Sequence, residues 1–582
     1  MIYCVVFKKN QQGIDSMNSV SNISIDNTTK KRPKVNRSHL VISNKIIAFN
    51  EIFALKKPKQ SAREIASFLE IPNSTMRSWR EGRLAIDSDV EEAFFMTPIG
   101  EACLQRITVA AMMSNKCGPS GILGMQNFLY NSGLDKYVAS SEGALQNFWN
   151  RCQAYILKFG AYEESLSTRG MTERTITLGL DEMFRAQLPC LVAIEAVSRY
   201  IFLEKFTDDR TAKTWKSELD KRLQGTNFKI GTVVSDLCGA LTSFTKSIGA
   251  IHSPDLFHGC YEISKATSAS LSSQERAAEK KLNKAEEKFK KKSEKLRMST
   301  KMEIQQQKEE IDVLRKRCED LRIDYKKRKD RREKSREANK KIGAIYHPID
   351  IESGLLQPPE TVEARFKQQL DVIEENAKEA KLSESSFNRI EKAKRAFSLM
   401  AIYLSNFFTV FYAFINDMNL DPQQTIFFNE VIFPLCYFQI IWKRFSKQDK
   451  VKYATLLQML QTKLQEAPWL ESLKTMWMLN GKELAERFQR SSSFLEGRNG
   501  GLSLLHHRFH RLSERDLKVL GIIQNFHVRH SDGTTAAERL FKTKHGDLFK
   551  SLVENVRIPG RPKRQHHDIK TRQLGREKQR AA

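Results

Sequence analysis

The stretch Thr175–Glu182 constrains this chain more than any other. Ile176, Leu178 and Leu180 alternate with Thr177, Gly179 and Asp181, the period of a strand with one face buried, and Asp181 ends the more open face. Alternation turns the neighbouring Glu182 to the opposite, apolar face. Two apolar runs follow, Cys190–Ala196 and Tyr200–Phe206, joined by Val197-Ser198-Arg199, so three antiparallel strands are predicted. A helix is expected from Thr211 to about Leu223. Lys229–Asp236 is apolar on both faces and reads as an interior strand covered by helices; it too ends in Asp. A helix near Gly239 to Lys246 and a short strand over Ile248–His252 complete the pattern.

Far downstream, Ser491–Gly501 reads Ser-Ser-Ser-Phe-Leu-Glu-Gly-Arg-Asn-Gly-Gly. A helix opening at these serines puts Ser493, Glu496 and Asn499 on one face. Taken alone, a first-turn Glu is a capping residue. Between Asp236 and Glu496 lies far more chain than a return to the sheet requires, so a domain folds inside. Residues 272 to about 342 are dominated by Glu, Lys, Arg and Gln over two apolar ladders, one through Ala278, Leu282 and Ala285 and one through Ile304, Ile311 and Cys318. They predict a long helix or a helical pair, its seam dimerising or folding back. Ala396–Ile415 is uncharged and Thr425–Trp442 nearly so. Their length suits a bilayer, but Ser405, Asn406, Asn429, Glu430 and Pro434 within them favour buried helices and no membrane.

The net charge of +27 calls for an anionic partner, and nucleic acid is the expected one. Residues 61–80 have the layout of a helix-turn-helix. Ser61 and Glu64 form a capping box, Ile65, Ala66 and Leu69 make a buried face, and Asn73 caps a second helix. That helix would present Ser74, Thr75, Arg77, Ser78 and Arg80 to DNA while Met76 and Trp79 face inward; the alternative is a small helical hairpin without a ligand. Nine scattered Cys without a CxxC pair fit a reducing cytosol, and Cys238, His252, His258 and Cys260 have no zinc-finger spacing. The apolar opening Ile2–Phe7 is too short for an export signal.

Together, Leu180-Asp181-Glu182, Val197-Ser198-Arg199-Tyr200, Val233-Val234-Ser235-Asp236 and Ser493–Asn499 resemble a bacterial insertion-sequence transposase of the DDE class. His252–His258 and Asn525–Leu540 are similar to that family's accompanying segments. The resemblance covers about residues 172–268 and 488–545. It implies a mixed α/β RNase H-like core interrupted by a long all-α insertion, with the helix-turn-helix in front. It also implies catalysis by Asp181, Asp236 and Glu496 as ligands of two Mg2+ ions, or Mn2+, with Asp181 bridging. DNA strand cleavage and strand transfer would follow, with Arg498 and Asn499 added to the DNA-binding residues. Double-stranded DNA, a homodimer and a bacterial cytoplasmic, nucleoid-associated setting complete the expectation. The chain departs from some subfamilies: Leu502 stands six positions beyond Glu496, and the nearest preceding Arg is Arg490.

The expected divisions are an arm (1–40), the helix-turn-helix (41–90), a helical linking part (91–171), the first part of the core (172–268), the insertion (269–487), the last part of the core (488–545) and a basic tail (546–582). Two other readings stay open: a structure-specific nuclease that cuts but never joins, and a non-catalytic coiled-coil DNA-binding protein.

Overall fold

The computed structural model describes residues 61–77, 94–118, 120–185, 188–296, 304–508 and 512–562. The chain divides into two compact units, Met1–Thr108 and Val109–Ala582. In the first, α1 (Ala62–Phe68) opens on the expected capping box, with the Ser61 and Glu64 side chains each accepting from the other's backbone N–H. Glu70 adopts a left-handed φ of +48° that turns the chain into a second helical stretch described over 73–77. Ile65, Ala66, Leu69, Ile71 and Met76 are buried between the two. The arm over 1–40, the residues Ser78, Trp79 and Arg80, and the tail beyond 562 lie outside the described residues.

The chain is mostly helical around a mixed five-stranded sheet. Helices α2 (Pro98–Cys117), α3 (Gly121–Asn131) and α4 (Glu142–Thr168) precede β1 (Arg174–Arg185), β2 (Leu188–Glu195), β3 (Ile201–Phe206), α5 (Ala212–Leu223), β4 (Phe228–Ser235), α6 (Gly239–Ser247) and β5 (Ile251–Pro254). The spatial order is β3-β2-β1-β4-β5. The first three strands are antiparallel, whereas β1, β4 and β5 run parallel. Parallel neighbours need crossovers, which α5 and α6 supply. Their Trp215 and Phe244 pack 6.5 Å apart, centroid to centroid, and both are buried.

The insertion opens with α7 (Leu256–Leu296) and α8 (Ile304–Ile345). Ion pairs Arg322–Glu286 at 2.5 Å and Arg332–Glu275, with Asn339 donating to Ser264 at 3.0 Å, show that α8 runs back antiparallel along α7. Ala278, Leu282, Ala285, Ile311 and Cys318 are buried, so the helical pair folds back and its seam is used within the chain. The core-to-insertion division expected at 268 falls inside α7, which continues from β5 with only Asp255 between.

Next come α9 (Pro359–Glu379), α10 (Glu384–Asp417), α11 (Pro422–Phe427), a π-helical turn over Phe428–Ile432, α12 (Phe433–Trp442), α13 (Lys447–Glu466) and α14 (Glu471–Arg487). Pro434 lacks the N–H that an α-helical bond would use, which fits the widened turn just before it. The spans Glu384–Asp417 and Pro422–Trp442 are long and apolar enough to cross a membrane. In this fold their Phe397, Met400, Phe411, Phe433 and Tyr437 join Phe366 and Trp477 in one core. Then α15 (Ser493–Arg508), α16 (Glu514–Phe526), α17 (Ala536–Phe541) and α18 (Leu548–Asn555) return the chain to the sheet.

Candidate functional site

The strand alternation sorts the acidic residues as expected. Asp181 pairs with Val192 across β1 and β2, and Val192 packs with Cys190, Ile194, Leu495, Leu502 and Leu517. Asp181 therefore belongs to the sheet face that α15 and α16 cover. Glu182 points the other way, where its carboxylate accepts from Arg210 at 2.5 Å and from the Trp215 indole at 3.2 Å. Asp181 does not end its strand, since β1 runs on to Arg185 and pairs with β2 beyond it. On the parallel side Gly179 is level with Val234, so two residues further on each strand bring Asp181 beside Asp236.

Three contacts dock α15 here. Gly179 makes room for it: a Cβ at that position would stand 2.3 Å from Phe494 Cζ, so only glycine lets the helix lie so close. Asp255, buried after β5, accepts from the Ser492 N–H at 2.7 Å and from the Ser492 hydroxyl. Burial works against the charge on Asp255, yet the bonds from His258 and Ser492 outweigh it and hold the carboxyl below its ordinary range. Finally, Arg498 sends two hydrogen bonds of 2.5 and 2.7 Å to Glu204 on β3.

At the Asp pair, the Asn499 amide donates to Asp181 Oδ2 at 2.6 Å while Oδ1 accepts from the Glu182 N–H at 2.8 Å. Burial, aided by the charge of Asp236, raises the Asp181 carboxyl against the pull of that backbone N–H. His258, its ring Nδ1 3.8 Å from Asp255 Oδ1 and within electrostatic reach of Asp236 and Asp181, is raised above its ordinary range by Asp255 first. The Asn499 Oδ1 atom is buried without a partner.

Glu496 sits one turn earlier on the face that carries Asn499. It is exposed, and among the described residues its carboxylate has no bonded partner. Among those residues, too, no three His, Cys, Asp or Glu side chains gather closely enough to hold a metal ion. The structure thus unites Asp181, Asp236 and Asn499 and leaves Glu496 beside them.

The expected DNA-binding residues divide. Ser74 and Arg77 are exposed and Thr75 is half-buried; Ser78 and Arg80 lie outside the described residues. Arg498 and Asn499 are already engaged inside the fold, because the positions that follow Glu496 on this helix face β1 and β3. Asn499 as partner of Asp181 was not anticipated from the sequence, although its spacing from Glu496 pointed to a shared face. Residues 428–568 match a family described as a family of unknown function, DUF6399. No curated protein matches the chain.

Proposed function

We propose that this protein is a DNA transposase with an RNase H-like core, acting by metal-dependent strand cleavage and strand transfer. The observation that carries the reading is the juxtaposition of Asp181, within β1, and Asp236, just past the end of its parallel neighbour β4, under a helix bearing Glu496 and Asn499. The strand order β3-β2-β1-β4-β5, antiparallel then parallel, supports the RNase H-like assignment.

The donor set suits hard divalent cations, which favour oxygen ligands. Two carboxylates side by side, one with a raised pKa, and an unpartnered amide oxygen on Asn499 form an oxygen-rich spot. Asp181 and Asp236 would hold Mg2+ or Mn2+, and a complete set requires Glu496, one turn before Asn499 on α15, to turn toward them as the third ligand. Bound there, the metals would supply charge neutralisation at the scissile phosphate and an activated oxygen nucleophile. The chain's own part is to fix both aspartates on adjacent strands and to anchor α15 through Asp255 and Gly179. Residues 61–77 would recognise the ends of the mobile element.

The test uses the full chain, Mg2+ and DNA flanking its gene. Wild type is expected to cut and join the ends, and Asp181→Asn, Asp236→Asn and Glu496→Gln to lose joining by about a hundredfold or more. Hydrolysis of branched DNA without joining would make it a nuclease instead. The unpartnered, exposed Glu496 favours one further reading, a DNA-binding protein that retains the fold without the chemistry. Specific DNA binding with no metal-dependent cleavage would establish that reading and overturn the first.

A further inference from the structure

A second site lies at the β2–β3 turn. There a cavity of about 500 Å³ lies between the β2–β3 turn, the helices α12 and α14, and the segment before α17. Arg199, Lys443, Arg444, Lys482, Arg490 and Arg539 line it, against only Glu486 and Asp532. Arg539 is paired with Asp532 at 2.6 Å, which leaves the wall short of negative charge.

Two further observations make this more than a solvated basic surface. Arg199 Nη1 and Arg490 Nε are buried without hydrogen-bond partners, although one Arg490 nitrogen donates to the Gly343 carbonyl. A buried guanidinium nitrogen left unpaired is costly. Arg199 also holds a left-handed φ of +67°, a conformation that is unfavourable for a non-glycine residue and clusters at ligand sites. Its guanidinium stands over the Phe494 ring, 4.4 Å from the centroid, and so touches the first turn of α15. Burial, with Arg444 and Arg539 adding to it, lowers the Arg199 pKa to about 10 despite nearby Glu195.

We propose that this cavity binds a small ligand carrying a polyphosphate group, from pyrophosphate to a nucleoside triphosphate. Guanidinium groups pair with phosphate oxygens in a fork-shaped geometry, and a cavity of this size suits a nucleotide but not a DNA duplex. Contact with Phe494 would let an occupant bear on the placement of α15. The assignment is independent of the transposase reading.

Calorimetric titration of the full chain with inorganic pyrophosphate and with a nucleoside triphosphate, both in EDTA, tests it. One equivalent of each is expected to bind. Arg199→Gln and Arg444→Gln should each weaken binding about tenfold or more, while Asp181→Asn and the hairpin variant Lys281→Gln leave it unchanged. Arg444 and Lys281 are exposed, so those variants keep the test valid should Arg199→Gln fail to fold. Absence of binding by both probes, or equal weakening by Lys281→Gln, would overturn the proposal. So would binding confined to oligonucleotides.

Discussion

Arg498 reads from the sequence as a DNA contact, whereas in the structure it is a strut, and the two roles separate under mutation. Its guanidinium meets Glu204 in a bidentate pair whose side chains are 17% and 2% exposed. Exposed ion pairs contribute about 0–1 kcal/mol. Removing one partner of a buried pair costs about 3–5 kcal/mol, because the other charge is left desolvated. Arg498→Met should therefore destabilise the unit that contains β3 and α15 by about 3–5 kcal/mol, largely through stranded Glu204. Arg498→Met/Glu204→Leu should regain most of that loss, since an apolar pair of similar volume is often neutral or better. Urea denaturation followed by tryptophan fluorescence reads the stability, and DNA affinity is measured in parallel well below the melting temperature. The expected outcome is a large stability loss in the single variant, recovery in the double, and wild-type DNA affinity in the double. A single variant of unchanged stability that binds DNA poorly would refute the reasoning.

Gly179→Ala should cost about 1–3 kcal/mol by overpacking against Phe494 and displace α15, so thermal melting and any metal-dependent activity should fall together. The anchor at Asp255 makes stability depend on pH at both ends. Asp255 is depressed in the fold, so its contribution is present above the unfolded value of about 3.8 and lost as pH falls through the lower folded one. His258 is raised, so its contribution is complete below about 6.5 and lost as pH rises through its folded value. Melting temperature against pH should show both losses in wild type, and Asp255→Asn should remove them. Leu282→Ala in the α7–α8 seam should destabilise that hairpin by about 2–5 kcal/mol, read by hydrogen exchange, and leave the sedimentation coefficient unchanged because the seam is internal.

Much of the architecture was legible from local pattern. The alternation around Leu178 and Leu180 marked β1, the Ser61–Glu64 spacing marked the start of α1, and two ladders of apolar residues marked α7 and α8. Each is a signal carried by neighbours in the chain, through strand pleat, helix repeat or a side chain reaching its own backbone. Boundaries were less secure: β1 outruns Asp181 because β2 continues to pair with it, and α7 begins at Leu256 because nothing between β5 and the hairpin breaks the helix.

The site drew on both levels. Strand phase put Asp181 on the open face of its strand, and helical spacing put Glu496 and Asn499 on one face of theirs. That Asn499 rather than Glu496 reaches Asp181, that Arg498 is held by Glu204, and that Arg199 and Arg490 meet at one cavity were decided only by tertiary packing. Those partners lie hundreds of residues apart in the chain, and their approach depends on how closely α15 can settle over Gly179, a distance that no local period encodes.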